Sequence, residues 1–319
     1  MDHQHPSAHA ARPVTLDRIE RAARLADHSP IVSPYRLVFA HATLADSIVE
    51  QPVEDDETGA TPSPAYTLVT THRGALSFDD LHSIGEFVND WNHNCLTPTL
   101  VLDYDSPSDV RVTGTTRIDS QWGMTDEQLV VAIDQALGNA GVFVHDLAER
   151  FPTVTISAPV SPLAGGDLDI ASEAPEDQAY AVDSGRIAEA LAGLGIDKLQ
   201  HSDDEGIYAW INDVLFAFVL DNGPSLIIKG HWDPDLEGRD FLRVFLICND
   251  FNRLSDAPVA YCHSNVDGLQ VRLDVAEPIA AGLTDRQLRS LLARSLKAVL
   301  HGIDRIAHDV SGESPVAWP

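Results

Sequence analysis

Cysteine is scarce: Cys95, Cys248 and Cys262 are the only three in 319 residues, with no C-x-x-C spacing and no matching histidine pair. That argues against a disulfide framework and a structural zinc site. Cys248 falls in an apolar helical run and Cys262 in a strand-like one, so both read as buried, inert thiols, while Cys95 falls in a loop. Basic residues are few as well, 21 Lys and Arg against 49 Asp and Glu, for a formal net charge of −28. Such a field repels phosphate backbones and no basic run offsets it, so nucleic acid is not an expected partner. No apolar run reaches the roughly 18 residues of a membrane span, and the Met-Asp-His-Gln-His opening lacks the basic-then-apolar order of a signal peptide. No membrane partner and a cytoplasmic location are therefore expected. The motifs Gly-x-Ser-x-Gly and His-Glu-x-x-His and a phosphate loop are all missing, which points away from an enzyme and from any cofactor.

What is present is a repeat. Gly282-Leu283-Thr284-Asp285-Arg286-Gln287-Leu288 opens a long apolar-striped segment, and Gly123-Met124-Thr125-Asp126-Glu127-Gln128-Leu129 does the same earlier. Both carry the Thr-x-x-Gln spacing of a capping box, in which the Thr hydroxyl accepts from the N3 backbone N–H and the Gln reaches back to the N-cap N–H. The Asp after each Thr places a negative charge at the positive end of the helix dipole. The pattern speaks of folding, not chemistry.

The elements around these caps also recur. A short amphipathic helix from Thr15 is answered by one beginning near Arg186-Ile187, for which Asp183 reads as the N-cap. Three strands are expected after each: Tyr35 to His41, Leu44 to Val49 and Ala65 to Thr71, then Gly206 to Ile211, Val214 to Leu220 and Ser225 to Gly230. A helix with Phe78, Leu81, Ile84, Val88 and Trp91 on one face corresponds to one over Asp240 to Asn252, which is apolar nearly all round. Two strands and the capped helix close each unit. Asn89-Asp90-Trp91-Asn92 before Pro98 matches Asn249-Asp250-Phe251-Asn252 before Pro258, a separation of 160 residues, against 159 from Thr125 to Thr284 and 168 from Arg18 to Arg186. The first copy's extra residues are explained by an acidic insertion between Glu50 and Pro64, a predicted loop. The organisation expected is a disordered tail at 1–13, a first repeat at 14–151, a flexible acidic linker at 152–183, a second repeat at 184–310 and a tail at 311–319.

This order, the Asn-Asp-aromatic-Asn helix end followed by Pro, and the Gly-x-Thr-Asp-x-Gln-Leu opening resemble the bacterial YbjN family, which is described as sensory transduction regulators with a type III secretion chaperone-like fold. The resemblance implies an α+β fold of two tandem α-β-β-β-α-β-β-α repeats, each an antiparallel sheet covered by helices. It brings no catalytic residues. It implies a protein or peptide partner and pairing of two such units, within this chain or as a homodimer. A tether raises the effective concentration of one copy around the other into the millimolar range, which favours pairing within the chain.

Other stretches read as structure. Asp233-x-Asp235-x-Glu237-Gly238 echoes a calcium loop, but Val244 stands where a bidentate acid is needed, so a strand-to-helix loop is expected. Gly193-Leu194-Gly195 follows a helix and lacks the third glycine of a dinucleotide fingerprint, so a helix C-cap is expected. Trp91 reads as core, whereas Trp210 and Trp232, in strand contexts, are the candidate partner-binding residues. Two functional classes stay open. A partner-binding module predicts a long apolar groove with free strand edges; a small-molecule sensor predicts a closed pocket with a few convergent polar groups.

Overall fold

The computed structural model describes residues 11–42, 44–50, 66–104, 110–155, 178–202, 206–221, 224–255, 257–265 and 268–318. The expected tail through residue 10, the insertion from 51 and the linker from 156 to 177 lie outside the described residues. The first copy runs α1 (Leu16–Leu25), β1 (Ile31–Ser33), β2 (Arg36–His41), β3 (Ala45–Glu50), β4 (Tyr66–His72), α2 (Leu81–Asn94), β5 (Thr99–Asp103), β6 (Arg111–Ile118) and α3 (Asp126–Arg150). The second runs α4 (Ser184–Ala192), β7 (Gln200–His201), β8 (Ile207–Ile211), β9 (Val214–Asp221), β10 (Ser225–Leu236), α5 (Phe241–Leu254), β11 (Val259–Asn265), β12 (Gly268–Pro278) and α6 (Asp285–Ser311). The α+β order is the expected one with a short strand added at the front of each sheet. Strands of three and two residues are too short to show an alternating pattern.

Each copy forms one six-stranded antiparallel sheet, ordered β1-β2-β3-β4-β6-β5 and β7-β8-β9-β10-β12-β11. Both long helices carry the expected capping box, Thr125 with Gln128 and Thr284 with Gln287. The recurring arginine also has a physical role. Arg18 of α1 donates to the carbonyls of Arg12 and Met124 and pairs with Asp126, and Arg186 of α4 donates to those of Tyr180 and Leu283 and pairs with Asp285. Each arginine thereby ties the first helix of its copy to the start of the last. Gly123 and Gly282 both have φ of +72°, and a Cβ on either would lie 2.6 Å or less from a backbone carbonyl oxygen, Arg12 O or Tyr180 O.

One apolar core passes through both copies, taking in Ile84, Val88, Trp91, Leu100 and Phe143 together with Phe216, Phe245, Phe251, Leu292 and Val299. A second, smaller core lies under α1 and α3, around Ile19, Leu37, Leu68 and Ile133. At the junction α2 meets α5, where Gly85 faces Phe245; a Cβ on Gly85 would lie 2.9 Å from that ring. These positions are 160 apart and therefore equivalent in the repeat. Two phenylalanines would collide there and two glycines would leave a void, so the pair has complementary sizes.

Several expectations needed revision. The strand expected to stop at Gly230 continues to Leu236, and the Asp233-Pro234-Asp235 stretch read as a loop is a break in its register against β12 between Trp232 and Leu236. A proline has no N–H for the ladder, so it is accommodated at such an irregularity. Helix α5 is not buried all round: Leu242 and Leu254 are exposed. Residues 311–319, expected as a tail, pack back in part, with Val316 buried and Ala317 N donating to the Asn212 carbonyl at 3.0 Å.

Candidate functional site

The Asn-Asp-aromatic-Asn motif sits at the end of α2 and of α5, between the edge strands β5 and β11. Its outer asparagine serves its own copy. Asn92 accepts from Leu100 N and donates to Leu100 O, at 2.8 and 2.9 Å, and Asn252 does the same to Ala260 at 2.8 Å each. Its inner asparagine crosses to the other copy: Asn89 bonds Cys262 N and O at 2.8 and 3.0 Å, and Asn249 bonds Leu102 N and O at 2.7 and 2.8 Å. All four side chains are buried. Each carboxamide presents an acceptor and a donor to one residue, as a neighbouring strand would, and so closes a sheet edge that would otherwise recruit another chain. The capping glutamines cross in the same reciprocal way: Gln128 donates to Gly282 O at 2.7 Å and Gln287 to Gly123 O at 2.9 Å. The motif aspartates, Asp90 and Asp250, are exposed, and Asp250 accepts from the Tyr104 hydroxyl of the first copy at 3.2 Å.

Around this reciprocal frame the two copies differ. Arg253 of α5 lies 3.9 Å from Asp103 on β5; at the equivalent positions His93 of α2 packs on His263 of β11, with ring centres 4.7 Å apart. The sheet faces turned away from the long helices differ more. Cross-strand pairing makes one row of Ala40, Asp46, Thr71, Thr113 and Val101 on the first sheet. The corresponding row on the second sheet is Trp210, Leu215, His231, Arg272 and Tyr261. Beside it, Asp274 accepts from Lys229 Nζ at 2.7 Å and from the Tyr261 hydroxyl at 2.9 Å. Burial, and then the neighbouring Arg272, push His231 down to about 4, and the same two causes lower His263 and His93. All three imidazoles are therefore neutral at pH 7, and the charged groups of this face are Lys229, Arg272, Asp274 and Asp233, the last accepting from Gln270 Nε2 at 3.3 Å.

Of the two tryptophans expected to meet a partner, Trp210 is 67% exposed and belongs to this row. Trp232 is partly buried against the core. Both border a recess of about 400 Å³ together with Leu215, His231 and Gln270. A larger open cleft, about 1070 Å³, lies between α2, the end of α3 and the start of α5, with Glu86, Asp90 and Asp146 facing Arg150, Arg239 and three histidines. Neither the apolar groove with free edges nor the closed pocket expected from sequence describes these surfaces, because the edges at the junction are sealed and the cleft is open and mixes its charged groups with Phe87, Trp91, Phe241 and Leu242. Among the described residues no three His, Cys, Asp or Glu side chains converge to hold a metal ion. His41 and Ser47 form a 2.5 Å hydrogen bond that imitates a base and nucleophile, yet Ser47 is fully buried and bonds onward to Thr70, so no substrate can reach it.

A helix-covered antiparallel sheet, present twice and joined through its own edges, defines an α+β scaffold whose polar machinery is spent on assembly. Residues 183–307 match the sequence profile of YbjN, described as "Putative bacterial sensory transduction regulator". The structure is similar to that of YbjN from E. coli, a putative transcription regulator, at 10% identity and a TM-score of 0.36, over 43% of this chain and 98% of that one. A similarity to the ExsC–ExsE complex covers 37% of this chain and 86% of that one, at 18% identity and a TM-score of 0.28. No curated protein matches the sequence. Among the described residues no helix is long and apolar enough to cross a membrane.

Proposed function

We propose that this chain is a non-catalytic regulatory module that binds a protein or peptide partner, its two copies acting together as a single-chain pseudo-dimer. The reading rests above all on the reciprocal bonds of Asn89 and Asn249. Each copy donates the same side chain to the same place on the other, which is the pattern of a two-fold interface. The unequal Gly85 and Phe245 pair supports it further, since a true homodimer would place identical residues at both positions. Sealing the inner edges leaves the open sheet faces and outer edges for a partner, consistent with a chaperone-like or sensory role. Light scattering on the full chain should give a monomer of 34.6 kDa across the micromolar range, and affinity capture from cells should retain a protein. A concentration-dependent dimer would contradict the pseudo-dimer, and turnover of a substrate would contradict the non-catalytic reading. The open cleft beside α2, where charged groups stand beside Phe87, Trp91 and Phe241, favours a second reading, a small-molecule sensor; a metabolite retained through native mass spectrometry would select it.

A further inference from the structure

We propose that a recess at the junction of the two copies binds a small aliphatic amine as its ammonium ion, with the Glu277 carboxyl and the Thr116 hydroxyl as acceptors. This adds a ligand to the partner-binding reading and does not depend on it. The recess holds about 320 Å³, near the lower end of the roughly 300–1,000 Å³ of small-molecule sites. Both copies build it: β6 and α3 contribute Thr116 and Asn139, and β10 and β12 contribute Ser225 and Glu277. It is therefore complete only while the copies are paired. Met124, Ala136, Val142 and Pro278 supply an apolar wall for an alkyl chain.

The lining offers its acceptors free and its cations engaged. The Glu277 carboxyl has no hydrogen-bond partner among the described residues; burial, and then the charge of Asp119, push it up to about 8 against the pull of Arg294 and Arg117. Thr116 is 7% exposed and its hydroxyl has no partner either. Asn139 spends its amide nitrogen on the Thr97 hydroxyl at 2.8 Å, which leaves its carbonyl oxygen. Arg294 donates to Asp119 at 3.2 Å, and Arg117 has a partner of its own. Once Glu277 ionises, two arginines stand against three acids, Asp119, Asp221 and Glu277, so one added cation makes the recess neutral. An alkyl ammonium keeps its charge to about pH 10 and brings three donors to these acceptors. A carboxylate would find no free cation here, and an alcohol would donate a single proton. Neither Glu277 nor Thr116 takes part in the reciprocal side-chain bonds that join the copies, so assembly does not account for them.

The test titrates the full-length protein with hexylamine, hexanoate and hexanol by isothermal titration calorimetry. At pH 8 hexylamine should bind at least about ten-fold more tightly than either of the others. Its affinity should rise about ten-fold from pH 6 to pH 7 and level off above 8, because binding displaces the Glu277 proton. Glu277→Gln, which keeps the shape, should lower the affinity at least about ten-fold at pH 8 and remove the pH dependence. Thr116→Val should lower it about five-fold with the melting temperature kept, and Asp213→Asn, which borders the recess near Trp210 instead, should change nothing. N-acetyl-lysine methylamide carries the same ammonium and should bind more weakly, because its two amides must enter the recess; equal binding would assign the site to a lysine of a partner protein and overturn the free amine. No binding of hexylamine below about 10 mM, equal affinity for hexanoate or hexanol, an affinity that falls with rising pH, full affinity in Glu277→Gln, or an equal loss in Asp213→Asn would each overturn the proposal. The partner-binding reading rests on Asn89 and Asn249 and survives all of these results.

Discussion

Replacing Asn249 with Ala deletes both bonds that Leu102 makes to the other copy, at 2.7 and 2.8 Å, in a place where the asparagine is 1% exposed. A buried backbone N–H and C=O left without partners cost about 1–3 kcal/mol each, so allowing for some water entry the loss should be about 3 kcal/mol. Asn249→Asp separates the two bonds. The carboxylate still accepts from Leu102 N but turns a second oxygen toward the Leu102 carbonyl, and that repulsion raises its folded pKa above the unfolded value. The deficit of this variant should therefore be largest at neutral pH and shrink as pH falls through that raised pKa, when the added proton becomes the missing donor. Asn252→Ala is the control, because it makes the same two bonds within one copy, to Ala260. Urea unfolding followed by tryptophan fluorescence is the assay. Both variants should lower the midpoint by similar amounts, but only Asn249→Ala, and its mate Asn89→Ala, should broaden the transition or split it as the copies unfold separately. The reasoning fails if Asn249→Ala lies within about 0.5 kcal/mol of wild type, or if it cannot be told from Asn252→Ala in both midpoint and slope.

Other consequences follow from the same junction. Gly85→Phe should overpack the contact with Phe245 and cost about 3 kcal/mol, and adding Phe245→Gly should recover much of it by exchanging the two sizes, as a thermal double-mutant cycle would report. Glu277, on β12 beside Asp119, Arg294 and Arg117, is raised by burial and then by Asp119 to about 8. Its protonated form stabilises the fold fully below the unfolded value near 4.5, and that contribution is lost as pH rises through 8. Glu277→Gln should therefore match wild type in acid and exceed it increasingly toward pH 8, levelling off near 2 kcal/mol because the site keeps some solvent exposure; denaturation midpoints across pH measure the gap. Gln287→Ala should cost more than the about 1 kcal/mol of an ordinary cap, because it also removes the bond to Gly123 O.

The local signals in the sequence were dependable because the residues they involve are close together. Thr125 and Gln128 lie three apart, and so do Asp183 and Arg186, which accounts for the legible caps. The Asn motif was legible as a repeat but not as a device, since its inner member bonds a residue 173 positions away in one copy and 147 in the other. A usable hint existed: Asn89 and Asn92 fall among Val88 and Trp91 on an apolar helix face, and a buried amide requires partners. The row on the second sheet was hidden because Trp210, His231 and Arg272 become neighbours only through strand register. Trp210 and Trp232 looked alike in strand context, yet Trp232 follows His231 and so takes the opposite side, against the core. The long β10 defeated the expectation of a loop because Pro234 reads as a stop when no partner strand is known.

The central claim is that two copies of one unit hold each other through their own helix ends and sheet edges. A protease site placed between residues 165 and 166 of the full chain, cleaved to completion and followed by gel filtration, tests it most directly. The account predicts that both fragments elute together at the position of the uncut protein, and that Asn89→Ala with Asn249→Ala releases them. Separation of the wild-type fragments into two folded species would contradict it.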